Sequence, residues 1–176
     1  MGRRLKTIKS ALHALFLTII FLLGIIMTAA AEPEEKGIIG RVMIDGYPVI
    51  YKLVDEPPSD DARAKHPWLT VIAWQYDGSE NNGMPDDTLL EQMDLLERRL
   101  EKLIDDGQSV HAYSRTGKDL KELVYYIRDR DEFIGALNDA LSDDPRYPIN
   151  IDFYKDESWE DFERLRSSFH STPKSD

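Results

Sequence analysis

Residues 68–107, WLTVIAWQYDGSENNGMPDDTLLEQMDLLERRLEKLIDDG, change their hydrophobic period once along their length. The first nine residues are mostly β-branched or aromatic and alternate between two faces, as is typical of a strand. From Pro85 to about Asp106, large apolar residues recur at spacings of three and four, which places them on one stripe of a helix: Leu89, Met93, Leu96, Leu100 and Leu103. The stretch therefore predicts a strand followed by a long amphipathic helix.

The ends of this helix carry their own signals. Thr88 and Glu91 fit a capping box, and Asp86 and Asp87 suit the positive end of the helix dipole. Gly107 supplies the stop, because glycine accepts the left-handed conformation that commonly follows a last helical turn.

The segment between strand and helix, DGSENNGMPDD, is rich enough in oxygen ligands to raise the question of a metal site. In the calcium loop that starts at Asp77, Ser79 and Asn81 occupy ligand positions. Asn82, however, stands where that loop needs glycine, and Thr88 where it needs glutamate. The segment is interpreted as a turn and no metal ligand is assigned, with a noncanonical weak cation site as the alternative.

Downstream, QSVHAYSR and DLKELVYYIRD are predicted as two strands joined at Thr116-Gly117. A helix over residues 131–141 follows, then the strand YPINIDFYKD. A last helix carries Trp159, Phe162 and Leu165 at spacings of three. Upstream, residues 38–44 and 47–54 read as a hairpin around Asp45-Gly46, and residues 55–67 as an irregular connection.

From Trp68 to Tyr154 the order is thus β-α-β-β-α-β, the split βαβ pattern. The predicted fold class is α+β, a ferredoxin-like βαββαβ sandwich with an added N-terminal β-hairpin and C-terminal helix. We expect one domain over residues 37–167, a short charged lead-in over 32–36 and a flexible tail over 168–176.

The N-terminus has the three-part layout of a secretory signal over residues 1–31. The apolar run ALHALFLTIIFLLGIIM precedes Ala29 and Ala31, so cleavage is expected before Glu32, and it follows four basic residues: Arg3, Arg4, Lys6 and Lys9. Such a leader predicts a periplasmic or extracellular protein. Seventeen residues are also close to the roughly 20 that span a bilayer, so an uncleaved N-terminal membrane anchor is the alternative.

Net charge and cysteine content exclude several classes of function. Without the four basic residues of the leader, 18 Lys and Arg face 33 Asp and Glu, a net charge of −15. A surface this acidic repels phosphate backbones, which argues against nucleic-acid binding. The chain has no cysteine, which excludes disulfides, thiol chemistry and lipoprotein acylation.

Several stretches, in order, give the chain a family resemblance: DGYPVI, HPWLTVIAWQYD, GMPDDTLLEQMDLLERRLE, VYYIRD and RYPINIDFYKDESWEDF. Over residues 38–165 they resemble the uncharacterised bacterial family called domain of unknown function 695. That family is similar in fold to the regulator of ribonuclease E activity B, which implies a ferredoxin-like fold. Where the family pattern has Asp-Pro-x-Trp-x-x-Tyr, this chain has Asp156, Glu157, Trp159 and Phe162, so it lacks that tyrosine hydroxyl. The resemblance implies no catalytic residue and no cofactor.

The second face of the sheet, opposite the two long helices, is the predicted ligand or partner site. Alternation assigns to it mixed aromatic and polar residues of the kind that anchor interfaces: Trp74, Tyr76, His111, Tyr113, Tyr126, Asp152 and Tyr154. The alternative is that the last helix covers this face through Trp159 and Phe162 and completes the core.

The function expected from these features is an exported, non-catalytic domain that binds an unknown protein or a neutral small ligand. One alternative is an enzyme that uses scattered carboxylates or His111 as a base, although no nucleophile motif accompanies that histidine. A second alternative is a membrane-tethered scaffold, which follows if the leader is retained.

Overall fold

The computed structural model of the chain describes residues 37–105 and 107–170. Within these residues the chain forms six β-strands, four α-helices and one 3-10 helix at Ser79–Asn81. The strands are β1 Gly37–Ile44, β2 Tyr47–Val54, β3 Trp68–Gln75, β4 Ser109–Gly117, β5 Leu120–Ile127 and β6 Ile149–Lys155. The helices are α1 Asp60–Lys65, α2 Asp87–Asp105, α3 Arg130–Ala140 and α4 Glu160–His170. The predicted leader, its cleavage site and the lead-in, together with residues 171–176, lie outside the described residues.

All neighbouring strands pair antiparallel, in the order β1-β2-β4-β5-β3-β6. The last four strands in chain order are arranged β6-β3-β5-β4, the arrangement of a ferredoxin-like sandwich. The hairpin β1-β2 extends this sheet beyond β4, and α4 is the added C-terminal helix. The predicted α+β fold class is confirmed. Strands β1 and β6 are the two edges of the sheet.

The main core lies between the sheet and the helices α2 and α3. The predicted stripe of α2 is confirmed, since Met93, Leu96, Leu100 and Leu103 are each at most 2% exposed and Leu89 packs against them. Helix α3 adds Phe133 and Leu137, and the sheet adds residues of β3 and β5: Ile72, Trp74, Leu123, Tyr125 and Ile127. Burial of these apolar side chains is the main force that holds the helices on the sheet.

Two tight turns close the hairpins of the sheet. Asp45 and Gly46 have φ of 51° and 87°, which confirms the predicted β1-β2 turn. In the β4-β5 hairpin, the residues with φ of 53° and 62° are Lys118 and Asp119. The prediction of a turn at Thr116-Gly117 is therefore wrong by two residues, because the strand continues through Gly117.

Helix starts differ from the sequence prediction at two places. Residues 60–65 of the connection predicted as irregular form α1, where the Ser59 hydroxyl accepts a hydrogen bond from the amide of Ala62. At α2 the cap is Asp86, whose Oδ1 accepts from the amide of Leu89 at 2.8 Å, rather than Thr88. Gly107 ends this helix with φ of 66°, as predicted.

Helix α4 extends to His170, so residues 168–170 are helical rather than part of a flexible tail. Phe169 near its end packs on Tyr51 of β2, with ring centroids 5.6 Å apart. The same ring lies over Gly40 of β1, where a Cβ would come within 2.1 Å of it. The far end of α4 therefore contacts the N-terminal hairpin.

Candidate functional site

The seven residues predicted for the second face divide between the two faces of the sheet. Tyr113 and Tyr126 belong with the second face, as do Asp152 and Tyr154, which stand opposite Val71 and Leu69 of β3. Trp74 and Tyr76 instead join the core under α2. His111 also turns to that side and packs on Tyr125, with ring centroids 5.2 Å apart. The assignment of Trp74, Tyr76 and His111 to the second face is wrong.

Two features of strand pairing explain this division. The register places Leu69 opposite Tyr126, so the odd-numbered residues of β3 share a face with the even-numbered residues of β5. In β4 a bulge between His111 and Tyr113 interrupts the alternation, so these two residues point to opposite faces. Because one extra residue reverses every later side chain, alternation along a single strand does not reveal such a switch.

Trp159 covers the middle of the second face. Its ring stacks on Tyr126 with centroids 3.7 Å apart and planes 8° from parallel. Its Nε1 donates to the carbonyl oxygens of His66 at 3.1 Å and Arg63 at 3.3 Å. Trp159 and Phe162 are both fully buried. The expectation that Trp159 and Phe162 cover this face is confirmed, but the prediction that the helix carries Trp159 is wrong, because α4 begins at Glu160 and Trp159 before it has φ of 59°.

Asp156 fixes the start of α4 and thereby the position of Trp159. Its carboxylate accepts hydrogen bonds from the Tyr126 hydroxyl at 2.7 Å and from the amides of Glu160 and Asp161 at 2.9 and 3.1 Å. Burial pushes the pKa of Asp156 upward, but these hydrogen bonds outweigh burial and hold it below its usual value. Asp156 and Trp159 therefore have a structural task in this chain.

Asp156, Tyr126 and Trp159 together hold the start of α4 on the sheet, and we call this group the Asp156–Trp159 lock. Beside this lock, a cleft of about 350 Å³ lies between the sheet and α4. Its charged side chains are already matched. The Tyr113 hydroxyl donates to Asp161 at 2.7 Å, Arg164 pairs with the same carboxylate, and Arg115 pairs with Glu122 at 3.2 Å. Burial and the bond to Asp161 raise the pKa of Tyr113, which keeps its hydroxyl protonated as a donor. The charges of the cleft are thus paired with one another, while the buried Nε of Arg115 has no hydrogen-bond partner among the described residues.

On the helix side of the sheet, one ion pair links β5 to α2. Lys121 of β5 is 5% exposed and pairs with Glu97 of α2. Burial raises the pKa of Tyr125, and the charges of Glu97 and Glu101 act in the same direction. The ion pair between Lys121 and Glu97 thus helps to hold α2 on the sheet.

The loop at residues 77–86 is held as a turn. Asn82 and Gly83 have φ of 52° and 76°, and the Gly83 amide bonds to the Gly78 carbonyl at 2.8 Å. The side chain of Asp77 accepts from the Ser79 amide, and that of Asp119 accepts from the Gly78 amide. Within the described residues, no three His, Asp or Glu side chains converge as a metal site would require. The turn interpretation accounts for the composition of this segment.

A groove runs along the outer side of β6, on the helix side of the sheet. We call it the β6 groove: a cavity of about 440 Å³ lined by Leu137, Asn138, Leu141, Asp144, Pro145, Arg146, Tyr147, Ile149 and Ile151. Helix α3 provides one wall, and the edge strand β6 with the loop before it provides the other. Cavities of this size accommodate small molecules or a few residues of a peptide.

The loop between α3 and β6 is braced so that the groove stays open. Arg99 of α2 donates two hydrogen bonds of 2.8 Å to the carboxylate of Asp144. The bonds from Arg99 hold the pKa of Asp144 below its usual value. Tyr147 packs edge-on against Trp74, with centroids 5.8 Å apart. These contacts tie both ends of the loop to the rigid part of the fold.

The entrance of the β6 groove at this loop is locally positive, although the whole chain is acidic. Arg146 is exposed and lines both the groove and a neighbouring cavity of about 190 Å³. The exposed side chains of Arg98 and Lys102 on α2 lie close enough for their charges to act on Tyr147 and Asp144. Asp143 of the same loop is also exposed and acts on Arg99. With Arg99 paired to Asp144, the charges that remain at the entrance are those of Arg98, Lys102 and Arg146 against Asp143, so their sum is cationic.

Arg146, Asn138 and the loop were missed by the sequence prediction, which sought the site on the opposite face. One signal did exist. A βαββαβ sandwich places its last strand at an edge, and Pro145 and Pro148 mark a rigid loop just before that strand. Together they indicate an irregular wall beside an open edge.

Among the helices of the described residues, none is long and apolar enough to cross a membrane.

Comparisons with known proteins give one match. A search of curated proteins and a search of solved structures each found no match to the chain. The model of a family of unknown function, DUF695, matches residues 41–165, which run from the second half of β1 to the middle of α4. The match contains the Asp156–Trp159 lock and both walls of the β6 groove, and the chain belongs to this family of unknown function, DUF695.

Proposed function

We propose that this protein is an exported, non-catalytic binding domain and that the β6 groove is its binding surface. One observation carries the proposal: a cavity of about 440 Å³, walled by leucine and isoleucine side chains and by the polar groups of Asn138, Asp144 and Arg146, lies directly beside β6, an edge strand of the sheet that the described residues form. Concave, largely apolar surfaces with a few polar groups are the usual form of binding sites in proteins.

Asp144 and Asp156, two carboxyl groups with shifted pKa values, are engaged in structural contacts and are not suited to act as general acids. A general acid needs a raised pKa, whereas the pKa values of Asp144 and Asp156 are lowered by an ion pair and a helix cap. Both groups act as fixed charges that position the loop and α4. The buried tyrosines Tyr113 and Tyr126 have raised pKa values, so they serve as hydrogen-bond donors.

Export is the part of the proposal that rests on the leader at residues 1–31. The expected partner is a protein outside the cytoplasm. The net charge of −11 disfavours partners that are strongly acidic over their whole surface.

A blocked groove provides the test. In Asn138→Trp, an indole on the exposed face of α3 fills the β6 groove without removing any buried side chain. A partner co-purified with the full chain from the organism's extracytoplasmic fraction is identified, and its Kd is then measured by calorimetry. We expect Asn138→Trp to weaken binding at least tenfold.

Glu132→Trp serves as the matched control, since it puts the same indole at an exposed position of α3 that does not line the groove. Both variants must keep the unfolding midpoint of the parent. Equal Kd values for the two variants would place the binding surface elsewhere and end the proposal.

A further inference from the structure

We propose that the β6 groove binds the carboxyl-terminal segment of a partner as an extended strand, paired antiparallel with β6, with its terminal carboxylate at Arg146. The inference rests on the proposed function and adds to it the form, direction and chemical end group of the ligand. Three observations support it: the outward-facing amides of β6, the leucine and isoleucine side chains in the walls of the groove and the charge at its entrance.

One hydrogen bond at the end of β6 shows which residues of this strand bond to β3. The amide of Asp156 donates to the carbonyl of Pro67 at 3.0 Å, and the register continues from there with Lys155 opposite Trp68. Along a strand of an antiparallel pair, residues alternate between those whose amide and carbonyl bond to the partner strand and those whose amide and carbonyl face the other way. Asn150, Asp152 and Tyr154 therefore bond to β3, as Asp156 does.

The intervening residues of β6, Ile149, Ile151 and Phe153, direct their amides and carbonyls away from β3, toward the open edge. Such an edge is a template for one more strand. The side chains of Ile149 and Ile151 also line the β6 groove. The free backbone groups and the groove are thus presented by the same residues.

Apolar side chains of a peptide strand would enter the groove at alternate positions. The apolar part of the opposite wall consists of Leu137 of α3 and Leu141 directly after that helix, which pack against the main core and line the groove beside Asn138. Because side chains of a strand alternate, every second peptide residue faces these leucines and the others face away. The groove therefore selects an alternating apolar pattern.

The charge at the entrance sets the direction of the peptide. Arg146 precedes β6 and lies beside the start of the strand, with Arg98 and Lys102 nearby. A strand antiparallel to β6 ends where β6 begins, so its carboxyl terminus meets this cationic entrance. An arginine fork binds a carboxylate with two directed hydrogen bonds. In a chain with net charge −11, this local reversal of sign makes the entrance selective.

The test uses defined peptides with the full chain. A library of random heptapeptides, attached through their amino ends, is synthesised once with free carboxyl termini and once as terminal amides. Peptides retained from the first library are remade with a fluorophore, and their Kd is measured by polarisation. We expect apolar residues at alternate positions, and at least a tenfold weaker Kd for the amide of each selected peptide.

Two protein variants test the end group. Arg146→Gln is expected to lose the preference for a free carboxylate, so that acid and amide forms bind alike. Arg41→Gln, an exposed arginine on the opposite edge strand β1, is the matched control and is expected to keep the preference. An undiminished preference in Arg146→Gln overturns the inference.

Methylation of single peptide nitrogens tests the added strand. Methyl groups at alternate residues, those whose amides face β6, are expected to abolish binding, while methyl groups at the residues between them leave Kd within about twofold. Equal effects at both sets, or no peptide retained at all, overturn the inference. If sedimentation shows a dimer that is broken by Asn138→Trp and excludes peptides, the edge is used by a second copy instead.

The failure of this inference is distinguishable from failure of the proposed function. If Asn138→Trp loses partner binding, but neither amidation of the peptide nor Arg146→Gln changes the Kd, the groove is the binding surface and the carboxyl-terminal strand is rejected. Partner binding that survives in Asn138→Trp rejects the groove itself.

Discussion

Trp159 has a conformation that only its surroundings make favourable. Its φ of 59° lies in the left-handed region, which costs a residue with a side chain about 1–2 kcal/mol. The stack on Tyr126 and the two hydrogen bonds from Nε1 offset that cost. The sequence placed Trp159 on the last helix and offered its burial against the second face as an alternative. It could not reveal the strained backbone, because the strain depends on where Asp156 caps α4.

Trp159→Ala is expected to destabilise the fold by about 3–5 kcal/mol, because the variant loses a fully buried ring and keeps the strained backbone. Urea denaturation followed by circular dichroism measures the free energy of unfolding. Tyr154→Ala, which truncates a ring that is 54% exposed, is the comparison and should change it by about 0.5 kcal/mol or less. Similar losses in the two variants would refute the role of Trp159 as a lock.

The lowered pKa of Asp156 makes its contribution to stability depend on pH. A carboxyl whose pKa is lower in the folded state stabilises the fold above its unfolded pKa of about 3.9, and this contribution disappears as pH falls through the folded value. Asp156→Asn should therefore be less stable than the parent at pH 7. The difference between the two unfolding free energies should shrink below about pH 4.

Urea midpoints of the parent and Asp156→Asn at pH 7, 5 and 3 check this expectation. Taking the difference between the two proteins removes the contribution of the other acids, which titrate in both. A difference that stays constant from pH 7 to pH 3 would show that the Asp156 charge contributes nothing.

At the scale of elements, local patterns were predictable and relations between elements were not. The strand after Pro67 and the stripe of α2 follow from hydrophobic period, which is local. The register between β3 and β5 and the bulge at Ala112 depend on partners distant in sequence. For this reason Trp74 and His111 were assigned to the wrong face, whereas Tyr113 and Tyr126 were assigned correctly.

The β4-β5 hairpin passes close to β2 at Gly117, and this approach yields a matched pair of glycine substitutions. A Cβ at Gly117 would lie 2.2 Å from the carbonyl oxygen of Pro48, and φ is 133°. Gly117→Ala should therefore destabilise the fold by more than about 2 kcal/mol. At Gly135 in α3 a Cβ meets nothing within 4 Å, so Gly135→Ala should stabilise by up to about 1 kcal/mol.

Thermal unfolding of both alanine variants beside the parent measures these effects. The opposite signs are the essential result, because the same chemical change is made in both. A Gly117→Ala variant as stable as the parent would mean that the hairpin can move away from β2.

At the scale of the whole molecule, fold class was predictable because the order of elements leaves few sheet arrangements. The functional surface was not, since the β6 groove combines a loop, a helix and an edge strand that meet only in the folded chain. The predicted site lay on the second face, where α4 now completes the core around Trp159. The sequence had offered this covering as the alternative.

Export is tested on the whole chain. If the leader is cleaved after Ala31, the protein isolated from outside the cytoplasm should begin at Glu32 and lack the mass of residues 1–31. Intact-mass spectrometry decides this, with the uncleaved chain made by cell-free synthesis as the mass reference. A product of full mass that partitions with membranes would instead support the membrane-tethered scaffold.

The ring of Phe169 over Gly40 joins two residues near opposite ends of the described chain. This contact closes the loop from Gly40 to Phe169, which is almost as long as the described chain. Because closing a long loop costs more conformational entropy than closing a short one, we expect the contact to form after more local contacts. A chain that emerges with its amino end first must hold the hairpin without its cover until the last helix follows. Folding should therefore finish when the end of α4 packs on the hairpin β1-β2.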